Sequence, residues 1–481
     1  MNLSMIENKE SIIDIQKIFL LLVLFEILVM AVVLFGDIIT MAVFGICILG
    51  LGFLLFSPVE PLIGIPFMLI ATGLNYYAAI KQSDVTFYKF STFHIVTVLT
   101  IISAFFNRIL SGKTSFPSLP LWAPLIAFNI SIALSLIVTP LFFDGFMDLF
   151  RLVALSVLVV IIVMCTDKMW KVKFVTYSFV IVPIGVSLYT IYEIASGGEF
   201  YKANIIRIAR ELGLNVYRST GTFANPNDLA NFIMVGIVMC FGMLFLKNIN
   251  MLTRLILISG IGLSSVGLIA SFSRGGWVAT FVGVFTIIIL HRKWKYLFYF
   301  IGVFLGVLVI IAITHPEIVI AAVTRFQTLL NPMGEESSSS RLSLLKTGIW
   351  MWQDHPILGV GAGGFPYYAA QYMDPSMPRM LVDVIYPHTL QAKILAEEGI
   401  VGIIVFTWLF LTVFVNAFKQ LKYIKNDFLK NAHLSFLALY IAYIASFTFS
   451  SELHNNVFWM TIGMLYVSPI VEKKLLKNNV I

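Results

Sequence analysis

The chain is poor in charge and in cysteine. Only 12% of its 481 residues are Asp, Glu, Lys or Arg, about half the share usual in soluble proteins, while 59% are hydrophobic, so a water-soluble fold is excluded. Its three cysteines, Cys47, Cys165 and Cys240, all lie inside apolar runs, which indicates neither a disulfide framework nor a cysteine metal site. None of the seven histidines has the H-E-x-x-H spacing and no loop carries D-x-D, so a chelated metal has no visible ligands. No small-x-small cleavage site follows the first apolar run, and Glu7, Glu10 and Asp14 precede it; it reads as an uncleaved span. The net charge of +7 is scattered over many short loops, which points to no nucleic-acid partner.

What the chain has is apolar length. About 20 apolar residues cross a bilayer as a helix, the form that satisfies its own backbone in lipid. Candidate spans run near 17 to 36, 38 to 56, 61 to 80, 93 to 107, 119 to 139, 149 to 166, 174 to 195, 228 to 246, 252 to 271, 276 to 290, 295 to 313, 397 to 418, 432 to 450 and 455 to 471. The runs at 93 and 276 are short, so the expectation is an all-α polytopic membrane protein of 12–14 transmembrane helices. With the N-terminus inside, alternate short loops collect 19 of the 32 bases but seven of the 25 acids. The positive-inside rule therefore predicts both termini in the cytoplasm and two long loops, about 196 to 227 and 314 to 396, outside.

Bases on the outer side raise a functional question. An arginine there either reaches lipid phosphate or a nearby acid, as expected of Arg207, Arg210, Arg325 and Arg379, or grips a ligand phosphate with its planar fork. Arg218, Arg274 and Arg341 have the more distinctive surroundings. Arg218 opens Arg-Ser-Thr-Gly-Thr-Phe-Ala-Asn-Pro-Asn, in which Asn225 and Asn227 flank a proline that suits a helix start. Ser273-Arg274-Gly275-Gly276 joins two apolar runs, either as a tight hairpin or as a close backbone approach with free amides.

In the second long loop, Leu342, Leu345, Ile349 and Trp352 recur at helical spacing. They predict an interfacial amphipathic helix over 341–353, with Ser340 as N-cap and Arg341 in the first turn. Gly359 to Gly364 matches G-x-G-x-x-G, but no βαβ unit surrounds it and Pro366 follows; it is either a phosphate-cradling loop or a plain turn, not a dinucleotide fingerprint. His388 lies just before a helix start at the outer face, where a neutral imidazole can take a proton from a hydroxyl or act as a hydrogen-bonding bystander.

In these motifs the chain resembles the bacterial O-antigen ligase and O-antigen polymerase superfamily, which includes polymerases of capsule and teichuronic acid repeat units. The similarity rests on the run from Arg218, on Ser273-Arg274-Gly275-Gly276, on the Arg341 helix leading to His355-Pro356-Ile357-Leu358-Gly359-Val360-Gly361, and on His388 followed by Ala396-Glu397-Glu398-Gly399-Ile400-Val401-Gly402. Residues 1–200 match only as a multi-span region, and residues 201–481 form the family-like catalytic region. Many members place Asn after the histidine, whereas here Thr389 follows.

The resemblance implies a glycosyltransferase-C-like membrane enzyme, without cofactor or metal, in the bacterial cytoplasmic membrane. Its donor would be an undecaprenyl-diphosphate-linked oligosaccharide and its acceptor a glycan hydroxyl. Arg218, Arg274 and Arg341 would bind diphosphate and His388 would act as base, supported by Asn225, Asn227, Ser273, Gly275 and Glu397, with apolar spans holding the lipid. Polymerisation of repeat units is the favoured outcome; ligation to a lipid or protein acceptor uses the same groups. The reading from another class is a transporter of polysaccharide or lipid-linked sugar, which would show paired charges at mid-membrane and internal repeats. Glu26 and Glu193 are the clearest acids inside spans, without a basic partner at matching depth, and no repeat is visible.

Overall fold

A computed structural model describes residues 61–73, 92–112, 116–196, 216–223, 225–330, 336–373 and 387–478. The expected spans at 17 to 36 and 38 to 56 lie outside them. A short turn, Pro61–Ile63, leads into α1 (Gly64–Gly73), followed by α2 (Thr92–Leu110), α3 (Trp122–Ser135), α4 (Phe142–Cys165), α5 (Met169–Ala195), α6 (Pro226–Met243), α7 (Met251–Ala270), α8 (Arg274–His291), α9 (Lys295–Thr314), α10 (Pro316–Leu330), α11 (Glu336–Asp354), α12 (Phe365–Tyr372), α13 (Leu390–Gln420), α14 (Asp427–Ser446) and α15 (Asn456–Asn478). Eight of these, α4 to α9, α13 and α14, are long and apolar enough to cross a membrane. The chain is an all-α, multi-pass membrane protein.

Helix starts follow the local chemistry. Asn225 accepts from the Asn227 amide with Pro226 at the first helical position of α6, Asn250 caps α7, and Ser273 caps α8. Helix α6 forms the axis and is buried almost throughout from Leu229 to Met243. Lipid tails are as apolar as leucine, so helix contact depends on close backbone approach and on polar groups between helices. Gly276 sits against Ala230 and Gly283 against Val238 and Ala442, while Ser446 donates to Asn231 across α14 and α6 at 2.7 Å. Helix α9 buries only Val307 and Ile311 and turns Phe298, Val309 and Ile313 outward, as a lipid-facing helix does.

The alternation places the starts of α4, α6, α8, α13 and α15 at one end. There the Ser219 amide donates to Ala270 O and the Leu390 amide to Phe447 O, both at 3.0 Å. At the opposite end Lys171 and Lys474 flank Asp167, and the Lys247 amide donates to Asp427.

Two expectations for the long loop are corrected. Helix α11 begins at Glu336, so Ser340 lies inside it rather than capping it, and Arg341 falls in the second turn; an acid at the helix start suits the macrodipole and carries the helix back through the serines. Its buried face is Ser343, Leu344, Thr347, Gly348 and Met351, whereas Leu342 is exposed and Leu345, Ile349 and Trp352 are only half-buried. Close approach selects the small residues: a side chain at Gly348 would meet Ala392 O and Phe365.

Helix α13 breaks at Gly399, whose φ of 65° and ψ of −155° are not helical. The break exposes backbone groups that need partners, and the segment 355–364 supplies them. Val360 and Gly361 amides donate to Ala396 O and Glu397 O at 2.8 and 3.0 Å, and the Ile400 amide donates to Pro356 O at 2.9 Å. The Ala362 amide goes to Ser135 Oγ and the Phe365 amide to Glu397 Oε1. With these amides committed to protein acceptors, the G-x-G-x-x-G segment is a structural turn wedged into the α13 break, not a phosphate cradle.

Candidate active site

Two helix starts and a loop converge at the end just described. Loop 216–223 is held on one side by the Ser219–Ala270 bond. On the other, Glu193 near the end of α5 accepts from the Thr220 and Gly221 amides at 3.3 and 2.8 Å. Between these anchors the Arg218 guanidinium donates to Ser271 O at 3.0 Å and to Asn227 Oδ1 at 3.2 Å. Asn227 Oδ1 also accepts from Ser273 Oγ at 2.8 Å, and Ser273 Oγ accepts from the Gly276 amide. Arg218, Asn227 and Ser273 are thus one hydrogen-bonded unit joining α6, α8 and the loop.

Arg274 is the first residue of α8 and only 7% exposed. Before it, Phe272 adopts a left-handed φ of 50°, a conformation that costs a non-glycine residue about 1–3 kcal/mol and clusters at functional sites. A cluster of Val216, Ile269 and Phe272 with Val307, Ile311, Ala321 and Ala322 holds it, so α10, rather than α11, packs beside this part of the site. The starts of α6 and α8 add the positive ends of two helix dipoles to the two guanidiniums, an anion-binding combination.

His388 stands two residues before α13 and is open to solvent. Desolvation by the protein around it, and then the charge of Arg341, lower its pKa below the ordinary 6.5. The N-cap residue Thr389 makes no side-chain cap, and its hydroxyl is buried without a hydrogen-bond partner. Segment 447–455 links His388 to the arginines: Phe447 O receives the Leu390 amide, and the Phe449 side chain packs against Gly275. His388, Arg218, Arg274, Asn227 and Ser273 therefore all sit at one end of the bundle, with Asn225 exposed at the α6 cap.

Glu397 is placed differently from an orienting partner of His388. Its carboxylate accepts from the Phe365 amide at 3.2 Å and lies 3.7 Å from Lys393, so it fastens the glycine turn to α13. Lys393 also lies 3.9 Å from Asp148, which pairs with Arg151 at 3.5 Å, and His454 Nε2 donates to Asp148 O. Glu452 is exposed beside them, yet desolvation raises its pKa, with Asp148 adding to the rise and Lys393 and Arg151 opposing it. Asp148, Arg151, Lys393, Glu452, His454 and Glu193 were not singled out by sequence for this site. The signal that could have found Arg151 and Lys393 is the one applied to the other bases, a positive charge on the side that the positive-inside rule expects to be poor in bases. Among the described residues no group of three His, Cys, Asp or Glu is placed to hold a metal ion.

A family model described as O-antigen ligase matches residues 259–407, from within α7 to the middle of α13. Over this segment, less than half of its length, the chain is similar to the O-antigen ligase family. The matched segment contains Arg274, Arg341, His388 and the α13 break, while Arg218, Asn225 and Asn227 precede it; Arg218 and Asn227 join it through their contacts with Ser271 and Ser273. Comparison with curated proteins finds no match.

Proposed function

We propose that this protein is an inverting, metal-independent glycosyltransferase that polymerises cell-surface polysaccharide repeat units at the outer face of the bacterial cytoplasmic membrane, with both termini in the cytoplasm. The donor is a glycan on undecaprenyl diphosphate and the acceptor is a hydroxyl of another lipid-linked glycan. The observation that carries this reading is the Arg218–Asn227–Ser273 unit, beside Arg274 at the starts of two helices, at the same end as His388. Diphosphate is already a good leaving group, so its departure needs charge neutralisation more than a proton, and fixed guanidiniums and helix starts supply it. A sugar hydroxyl is a poor nucleophile. His388 takes its proton as the oxygen attacks the anomeric carbon, the bond to phosphate breaks with its electron pair on the phosphate oxygen, and the configuration inverts in one step.

Two measurements in proteoliposomes test this reading. With lipid-linked repeat units as substrate, glycan growth is expected to persist in EDTA; strict dependence on an added divalent cation overturns the metal-free scheme. The pH profile carries the second. His388 works as the neutral base, so turnover falls as pH drops through its pKa, which desolvation by the surrounding protein and the charge of Arg341 hold below about 6.5. Arg341→Gln removes one of the two causes and should move the acid limb of kcat/KM upward, so that the loss is greater at acid than at alkaline pH. An unmoved acid limb contradicts the assignment of that limb to His388.

A further inference from the structure

We propose that Glu193 is a positioning residue for Arg218; this rests on the reading of Arg218 as part of the diphosphate clamp. Glu193 is 6% exposed and lies in the last turn of α5, where the negative end of the helix dipole disfavours an acid. Burying a carboxylate there is costly unless its oxygens are hydrogen-bonded. Both are committed to loop amides, Oε1 to Thr220 and Oε2 to Gly221. Only an ionised carboxylate accepts on both oxygens without presenting a donor; the isosteric glutamine turns an N–H toward an N–H.

The seat is tight as well as polar. Gly221 has a φ of 54°, and a side chain there would meet Thr190 Oγ1 at 2.7 Å and Leu229 at 2.9 Å. The loop is thereby pinned between the last turns of α5 and the first turn of α6. Arg218 lies two residues before the first amide that Glu193 holds and one before the amide bound by Ala270 O. The backbone directly after it is held by acceptors on α7 and α5, and its guanidinium reaches Ser271 O and Asn227 from beside that fixed point. The acid that sequence alone leaves inside a span without a basic partner thus acts on the loop that carries a base.

The test is a double-mutant cycle on the full chain in proteoliposomes, with lipid-linked repeat units as donor and acceptor. Glu193→Gln is expected to lower kcat/KM by about 10–100-fold, the range usual for partners one step removed from the reacting groups, with the fall mainly in kcat. In an Arg218→Ala background the same change should cost no more than about threefold, because residues acting through one another are not additive. Full losses in both backgrounds, or wild-type turnover in Glu193→Gln, overturn the assignment. Should Glu193→Gln fail to accumulate, Gly221→Ala disturbs the same seat and should show the same non-additivity; misfolding of both places Glu193 in the scaffold and also overturns it. Wild-type turnover in Arg218→Ala instead refutes the clamp reading itself, an outcome distinct from additivity.

Discussion

Arg274→Ala is expected to lower glycan growth by about 10²–10³-fold, the size measured when one preorganised donor to a developing oxyanion is removed. Arg274 is nearly buried at the start of α8, so its side chain does not reorganise when charge builds on the departing diphosphate. The neighbouring groups cannot replace it, since Ser273 is occupied with the Gly276 amide and Asn227. Because Ser273 and not Arg274 supplies the cap, the helix should still form, and thermal stability in detergent is the control. Arg274→Lys is expected to recover only part of the rate, because an ammonium does not offer the planar fork that spans two phosphate oxygens. Wild-type growth in Arg274→Ala contradicts the role.

His388→Ala is expected to cost about 10²–10⁴-fold in kcat, the range for loss of a positioned general base. His388 is solvent-exposed and outside α13, so its removal leaves no buried group unpaired and abundance should stay normal. The informative comparison is the pH profile. The residual activity of His388→Ala should lose the acid limb, and a limb that persists unchanged belongs to another group, of which Glu452 and His454 are titratable candidates in the adjoining segment. The two carry opposite shifts: desolvation raises the Glu452 pKa, whereas burial lowers that of His454 to about 4, a fall to which Lys393 and Arg151 add and which Asp148 partly opposes.

Much of the helical frame was legible because lipid makes the signal simple. A run of apolar residues long enough to span must form a helix, and Asn225 with Pro226 marks the start of α6 by local chemistry. The amphipathic stripe of α11 was misplaced for the converse reason. Near lipid, Leu342, Ile349 and Trp352 gain little by turning inward, and small residues such as Gly348 win the contact with α13. The α13 break was hidden because Gly399 looks like any glycine in a helix; its partner, the Gly359–Gly364 turn, is identified only once Ala396 O and Glu397 O are seen to need donors. Sequence placed Arg218, Arg274, Arg341 and His388 in one outward set through charge and motif. It left out Glu193, Asp148 and Lys393, whose roles depend on contacts between residues far apart in the chain.

The most direct measurement is a structure of the protein with undecaprenyl diphosphate bound. Phosphate oxygens are expected within about 2.7–3.1 Å of the Arg218 and Arg274 guanidiniums, with the terminal phosphate turned toward His388 and the segment containing Phe449 between them. A diphosphate seated elsewhere, or at the opposite end of the bundle beside Asp167 and Lys474, contradicts the account.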